Sequence, residues 1–194
     1  MTQTKVLADR IYAGEGFAAD ALRIAAANIL LVLCAYIAIP LPWTPVPITG
    51  QTFGVLLVAV LLGARRSAIT MVVYLLEGFA GLPVFQPFGA PGAARFFGPT
   101  AGFLLAYPPA AFAAGWLVES GAGESAVRLV GALFSGEVLI FLGGCAWLAI
   151  TMNFGWGAAF AQGALPFVPG EIIKIALIAA AVRGVSLTTR AKTS

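Results

Sequence analysis

Long apolar stretches, separated by short polar or proline-rich segments, run along most of this chain. Nearly all of their positions are apolar, which is typical of membrane-spanning helices and unlike the one-sided pattern of a soluble helix. The pattern predicts six spans, at residues 21–39, 51–63, 67–81, 101–118, 129–151 and 170–185. Several are shorter than the ~20 residues of a perpendicular crossing. Some must therefore extend into neighbouring loops, and five crossings are the alternative.

Two of the segments between these spans cannot form regular helices. Residues 40–47 are rich in proline, and residues 82–100 combine glycine, proline and aromatic residues. Irregular backbone at membrane depth is tolerated where it lines a cavity or packs against protein. We therefore predict an all-α integral membrane protein with six transmembrane helices and membrane-associated irregular loops on the outer side. Residues 45–52 are a candidate lid.

The composition indicates a single membrane domain over residues 1–194. The mean hydropathy is +0.96, 60% of the residues are hydrophobic and only 10% are charged, unlike a typical soluble domain. Residues 1–20 are polar and lack the apolar core of a signal peptide. We predict a cytoplasmic tail at 1–20, a helical bundle at 21–185 and a second cytoplasmic tail at 186–194.

The basic residues are distributed unevenly between the two sides of this topology. If both termini are cytoplasmic, Arg95 is the one Lys or Arg in the outer loops. The inner side then holds Lys5, Arg10, Arg23, Arg65, Arg66, Arg128, Arg183, Arg190 and Lys192. This asymmetry follows the positive-inside rule. It accounts for the net charge of +3 without a nucleic-acid partner.

Several chemistries are excluded or disfavoured by the residue content. The chain has no histidine, which rules out histidine-based catalysis and histidine-ligated metals. Cys34 and Cys145 lie in apolar segments, where buried thiols are expected rather than a disulfide or a metal pair. The sequence has no Gly-x-x-x-x-Gly-Lys phosphate loop and no nucleophile with a partnered base. We predict that the protein is not an enzyme, holds no metal or cofactor and cannot hydrolyse ATP by itself.

Glu171 and Lys174 stand near the start of the last predicted span. Three residues apart on a helix, they share one face. Charged side chains inside a membrane are costly and usually functional; the alternative is that the two only pair with each other. Two further acidic residues lie within spans. Glu77 could bond the neighbouring loop or touch a ligand, and Glu137 could be protonated or paired with another helix.

Five motifs, in order along the chain, carry a resemblance to a known family. They are Pro45-Val-Pro-Ile-Thr-Gly-Gln-Thr52, Leu62-Gly-Ala-Arg-Arg66, Gly81-Leu-Pro-Val-Phe85, Gly98-Pro-Thr-Ala-Gly102 and Leu165-Pro-Phe-Val-Pro-Gly-Glu-Ile-Ile-Lys174. From about residue 35 to residue 181, the chain resembles the substrate-binding S components of energy-coupling factor (ECF) transporters, specifically the biotin-binding BioY family.

The resemblance implies a multi-pass protein of the cytoplasmic membrane of a bacterium or archaeon, which captures biotin from outside. A transmembrane coupling subunit and two ABC-type ATPases would energise the delivery of biotin inward. The alternatives are an ion-coupled carrier and an S component for another vitamin. Besides biotin and these subunits, the lipid bilayer is the expected partner.

Biotin has a ureido ring with two N–H donors and one carbonyl acceptor, and a valerate chain that ends in a carboxylate. Glu171 can accept a hydrogen bond from a ureido N–H, and Lys174 can donate to the ureido oxygen. Arg95 is the candidate for the carboxylate, because charge-assisted hydrogen bonds are the stronger kind. Lys174 and Arg95 could exchange these roles. The family usually has an aspartate where this chain has Glu171.

Four loop and helix residues complete the predicted binding site. Gln86 lies in the loop where the family often has an asparagine, and is a candidate ligand contact. Phe85, Trp43 and Tyr74 are candidate apolar walls.

Small side chains on the first predicted helix indicate a second surface. Ala21 and Ala25 are four residues apart, which allows another helix to approach closely. The family uses an Ala-x-x-x-Ala pattern there to dock the coupling subunit. The alternative is close packing within this bundle.

Overall fold

The structure, a computed structural model, describes residues 16–191, with side chains up to residue 184. In this range the chain forms six α-helices and one antiparallel pair of short strands. The helices are α1 (Phe17–Tyr36), α2 (Gln51–Phe79), α3 (Ala101–Glu119), α4 (Ala126–Thr151), α5 (Trp156–Gly163) and α6 (Val168–Ala191); the strands are β1 (Ala38–Ile39) and β2 (Ile48–Thr49). Two 3-10 helices lie at Gly92–Phe97 and Ala122–Glu124. Lys5, Arg10, Lys192 and most of the predicted N-terminal tail lie outside the described residues.

Helix α2 reverses its direction at Gly63. The side-chain amide of Gln51 donates to the Tyr74 hydroxyl over 2.8 Å, whereas a straight helix would hold these residues roughly 34 Å apart. Gly63 has a φ of 76° and a ψ of −172°, a conformation that glycine adopts without the penalty of a side chain. Residues 51–62 and 64–79 are therefore two antiparallel arms. The reversal falls at the predicted boundary between the second and third spans.

The reversal in α2 lies at one end of the molecule, beside the start of α1 and the end of α3. Arg66 pairs with Asp20 of α1 over 2.9 Å, and the backbone N–H of Ala64 donates to Glu119 of α3 over 3.2 Å. Helix α3 passes close to the backbone of this reversal. A Cβ added at Gly115 of α3 would lie 2.5 Å from the Gly63 backbone, so the close approach depends on the missing side chain. The arms of α2 then carry Gln51 and Tyr74 to the opposite end, where the strand pair and the irregular residues 80–100 lie.

The helices are long and apolar enough for four membrane spans, namely α1, α2, α3 and α4. Helices α5 and α6, bent by 52° at a short break, add a fifth span if the pair is counted as one. Helix α6 begins two residues before the predicted sixth span and continues past its predicted end at residue 185. The chain is thus a mostly helical protein with four to five candidate spans by length and composition.

Large apolar side chains lie both inside and outside the bundle. Leu56, Met71 and Leu133 are fully buried in the core between the helices. Other large apolar side chains are exposed on the outer faces of the helices, among them Ile29, Leu33, Phe134, Leu142 and Ile172. Such extensive apolar exposure would favour aggregation in water. It is the surface expected of helices that face lipid.

Candidate ligand-binding site

A cavity of about 50 Å³ lies at the end of the bundle that carries the irregular segments. We refer to it as the inner cavity. It is enclosed by the start of α2, the first turns of α3, the middle of α4, the start of α6 and the loops beside them. Its lining consists of Val46, Pro47, Thr49, Gln51, Thr52, Phe85, Gln86, Arg95, Thr100, Phe103, Leu104, Tyr107, Phe141, Phe167 and Glu171.

Glu171 lines the inner cavity and is held by two neighbours. Its Oε1 accepts from Lys174 Nζ over 2.7 Å, and its Oε2 accepts from the Thr52 hydroxyl over 2.7 Å. Only 6% of Glu171 is exposed. As predicted from their spacing of three residues, Glu171 and Lys174 lie on one face of α6. The carboxylate is therefore fixed in orientation where a ligand would meet it.

Lys174 lies behind this carboxylate rather than in the lining. Its ammonium donates to Glu171, to the Thr52 hydroxyl over 2.8 Å and to the Thr49 backbone oxygen over 2.6 Å. An ammonium has three N–H donors, and all three are used. In this structure Lys174 joins α6 to the start of α2 and holds Glu171 in place.

Arg95 is a buried cation of the loop after α2, with 6% of the residue exposed. Its guanidinium donates to the backbone oxygens of Phe88 and Gln86, and lies 5.8 Å from the centre of the Phe85 ring. Among residues 16–184, its Nε has no hydrogen-bond partner and no carboxylate lies within 4.0 Å of the guanidinium. Burial lowers the pKa of Arg95 below its ordinary value, and the nearby Tyr74 opposes this shift. A ligand anion would supply the missing negative charge.

Phe85 and Gln86, both predicted to contact the ligand, line the inner cavity. Tyr74, predicted to form its wall, lies behind them. The Tyr74 hydroxyl accepts from Gln51 and donates to the Val84 backbone oxygen over 3.0 Å. Its ring packs edge to face on Phe85 at 5.1 Å. Tyr74 is fully buried and outside the lining. It therefore supports the wall of the cavity instead of forming it.

Trp43 does not lie at the cavity. The residue is 65% exposed and absent from the lining, because the proline-rich segment between β1 and β2 directs Val46 and Pro47 inward instead. The neighbouring Thr44 is buried and donates to the Gln162 backbone oxygen of α5 over 2.7 Å.

Tyr107 is a cavity residue that the sequence analysis missed. It is 3% exposed and lines the cavity, and its hydroxyl makes no hydrogen bond among the described residues. Thr100, Phe103 and Leu104 lie on the same face of α3. Their spacing at i, i+3, i+4 and i+7 is the signal for a shared helical face. Because nearly every position of α3 is apolar, that face does not stand out in the sequence.

The two remaining intramembrane acids lie away from the lining. Glu77 accepts from the Asn28 side chain of α1 over 2.9 Å and lies outside the cavity lining, so its predicted bond to the neighbouring loop is not seen among the described residues. Glu137 is 3% exposed, and neither of its carboxyl oxygens has a partner in the described residues. Of the two alternatives predicted for Glu137, protonation or pairing with a neighbouring helix, the pairing is therefore not seen among the described residues.

We expect Glu137→Met to raise the thermal stability of the detergent-solubilised protein. A buried polar group without a partner costs about 1–3 kcal/mol, and methionine fills a similar volume without polar atoms. The midpoint of thermal unfolding is the measurement, with Glu77→Met as the matched variant that breaks an existing hydrogen bond and should lower it. A lower midpoint of unfolding for Glu137→Met would show that the Glu137 carboxyl group stabilises the fold, and would contradict this expectation.

Ala21 and Ala25 lie on the surface of α1, in a groove between α1 and the second arm of α2. The groove has a volume of about 1230 Å³. Both alanines are exposed, so the structure does not use them for close packing within the bundle. Below, this groove is called the α1 groove.

Comparison with known proteins gives consistent matches along the chain. Residues 3–191 match the model of the BioY family. The chain is 37% identical over 166 residues to a biotin transporter BioY of Rhizobium etli, covering 82% of this chain and 88% of the relative. It is 32% identical over 171 residues to a biotin transporter BioY of Rhodobacter capsulatus, covering 81% and 87%. A crystal structure of the S-component for biotin from an ECF-type ABC transporter superimposes with a TM-score of 0.79 and 25% identity, covering 87% of this chain and 91% of the other.

Proposed function

The chain belongs to the BioY family, and on this basis we propose how it captures biotin for transport across a membrane. It is a biotin-binding S component, a transport protein and not an enzyme. One observation carries the proposed binding mode. The same cavity is lined by Arg95, a guanidinium without a carboxylate partner among the described residues, and by Glu171, a carboxylate fixed by Lys174 and Thr52.

Glu171 receives the ureido ring in this binding mode. A carboxylate has about four lone-pair sites, so the two bonds from Lys174 and Thr52 leave room for a ureido N–H. Lys174 reaches the ureido oxygen only by releasing one of its present contacts, to Thr49 or to Thr52. The Tyr107 hydroxyl, which makes no hydrogen bond within the described part of the chain, is a further donor or acceptor for the ring.

Arg95 receives the valerate carboxylate at the loop side of the cavity. Its Nε has no partner in the part of the chain that the structure describes, and a bond between a guanidinium and a carboxylate is charge-assisted and strong. The Gln86 side-chain oxygen already accepts from the Phe88 backbone N–H, which leaves its amide N–H groups for the carboxylate. Phe85, Phe103 and the other aromatic side chains of the lining pack against the bicycle.

Biotin binding requires the inner cavity to widen. The cavity measures about 50 Å³, whereas a cavity that holds benzene measures roughly 150 Å³. The residues that can move without breaking a helix are those of segments 40–47 and 82–100. The proposed lid remains residues 45–52, whose part before α2 contributes Val46, Pro47 and Thr49 to the cavity lining; the bond from Thr44 to Gln162 anchors its start to α5.

Six crossings with both termini in the cytoplasm form the proposed topology. The two arms of α2 supply the second and third crossings, and α6, entered through the bent α5, supplies the sixth. Arg23 and Arg66 lie at the end of the bundle where α2 reverses. The same end holds Arg65, next to Arg66, and Arg128 at the start of α4. Lys174 and Arg95 lie at the cavity end. The positive-inside rule then places the cavity outside.

The proposed energising partners are a transmembrane coupling subunit and two ABC-type ATPases, with the coupling subunit in the α1 groove. We expect Ala21→Trp and Ala25→Trp to block co-purification with a co-expressed coupling subunit, because the indole rings fill the groove. Biotin binding should remain unchanged, since the cavity is elsewhere. Ala26→Trp, exposed on α1 outside the groove, is the matched control. Assembly that survives both groove variants would refute this docking surface.

Equilibrium binding of radiolabelled biotin to the purified protein tests the proposed function directly. Saturable binding that unlabelled biotin displaces is expected, without any ATPase subunit present. Saturable binding of another vitamin with no binding of biotin would replace biotin as the ligand. Uptake into liposomes driven by an ion gradient would support the carrier alternative.

A further inference from the structure

A second cavity, of about 140 Å³, lies beside the inner cavity and is called the outer chamber. It is walled by the proline-rich segment between β1 and β2 and by the loop after α2. The two cavities share Pro47, Gln86, Arg95 and Thr100 as lining residues. Along α3 the inner cavity reaches Tyr107, about two turns deeper than Thr100, where the outer chamber ends. The outer chamber therefore continues the inner cavity toward the loop surface.

Arg95 stands at the junction of the two cavities. Its Nη atoms are bound to backbone oxygens of the surrounding loop, and its Nε has no hydrogen-bond partner among residues 16–184. Under the proposed function, this guanidinium holds the carboxyl end of biotin. Atoms attached beyond that carboxyl group would consequently lie in the outer chamber rather than against a closed wall.

The size and polarity of the outer chamber suit a short uncharged chain. Its volume is close to the roughly 150 Å³ of a cavity that holds benzene, which is room for about six non-hydrogen atoms. Leu41, Phe88 and several prolines contribute apolar walls, and Arg95 is the one charged residue in the lining. A second charged group would lack a partner there.

We propose that the outer chamber is a second ligand subsite, and that the protein therefore binds biotin amides that carry a short alkyl chain on the carboxyl end. This inference rests on the proposed function. The Arg95 guanidinium donates to the amide oxygen as it would to the carboxylate. The alkyl chain then lies between the segment 40–47 and the loop after α2.

Competition against radiolabelled biotin tests the subsite with two probes, the primary amide of biotin and its N-butyl amide. Both lack the negative charge, and they differ only in the chain. Each is expected to bind more weakly than biotin, with the N-butyl amide at least as tight as the primary amide. An apolar chain that leaves water gains free energy.

Ala90→Trp is the variant that separates the subsite from the rest of the site. Ala90 borders the outer chamber and not the inner cavity. The indole should weaken the N-butyl amide at least about tenfold, and leave biotin and the primary amide within about threefold of wild type. Leu82→Trp is the matched control, since Leu82 is exposed in the same loop and outside the chamber. It should change none of the three affinities.

Two results would overturn the subsite alone. The first is an N-butyl amide that competes more weakly than the primary amide, which would mean that the loops close over the carboxyl end. The second is an Ala90→Trp protein in which all three ligands lose affinity equally. A protein that does not bind biotin at all would overturn the proposed function, and the subsite with it.

Discussion

We expect Glu171→Ala to abolish most of the biotin affinity of the purified protein. The substitution removes the carboxylate that lines the cavity and leaves the Lys174 ammonium, now 2.7 Å from it, without its anion. Truncating one partner of a buried, hydrogen-bonded charge pair costs about 2–5 kcal/mol, which corresponds to a loss of roughly thirtyfold to several thousandfold in affinity. Equilibrium binding of radiolabelled biotin is the measurement.

Two further variants distinguish a loss of binding at Glu171 from a folding defect. Glu171→Asp retains the charge on a shorter side chain, and should hold most of the affinity. Glu171→Gln retains the shape without the charge, and should lose affinity nearly as far as alanine. Size-exclusion chromatography and the thermal unfolding midpoint show whether each variant is folded. A folded Glu171→Ala protein with wild-type affinity would remove Glu171 from the binding site.

We expect Arg95→Gln to weaken the binding of biotin far more than the binding of its primary amide. The guanidinium has no carboxylate partner among the described residues, so the carboxylate of biotin is the expected one. A hydrogen bond to a charged group contributes about 1.5–3 kcal/mol, and the variant should therefore lose roughly tenfold to 150-fold in biotin affinity. The primary amide, which carries no charge, should lose about threefold or less.

The comparison of the two ligands decides what Arg95 does. Its guanidinium also bonds the backbone oxygens of Phe88 and Gln86, so its loss could simply loosen the loop. A loosened loop would weaken both ligands by the same factor. Equal losses for biotin and its amide would therefore assign Arg95 to loop structure and not to the carboxylate. Arg95→Lys, which keeps the charge but not the paired N–H groups, should fall between wild type and Arg95→Gln.

The features that depend on neighbours along the chain were predictable from the sequence. The apolar spans follow from local hydrophobicity, and the break at residues 63–67 follows from its glycine and arginines. Glu171 and Lys174 share a face because helical geometry fixes residues three apart. Gln86 and Phe85 are adjacent in sequence, but Arg95 follows about ten residues later, and only the course of the loop brings its guanidinium to the Gln86 backbone oxygen.

The features that depend on contacts between distant segments were decided only by the tertiary structure. Lys174 bonds Thr49 and Thr52, more than a hundred residues away, so its role behind Glu171 could not be read from α6 alone. Trp43 and Tyr74 are both aromatic residues near the site, yet one faces outward and the other lies behind the lining.

Sequence alone determined that this is a helical membrane protein of the BioY type with an acid, an amine and a guanidinium available for a polar ligand. Tertiary structure decided that the acid lines the cavity while the amine supports it, that Tyr107 joins the lining, and that an outer chamber continues past Arg95. The reason is physical. Hydrophobicity and helical period act over a few residues, whereas the lining of a cavity depends on which faces of separate helices meet.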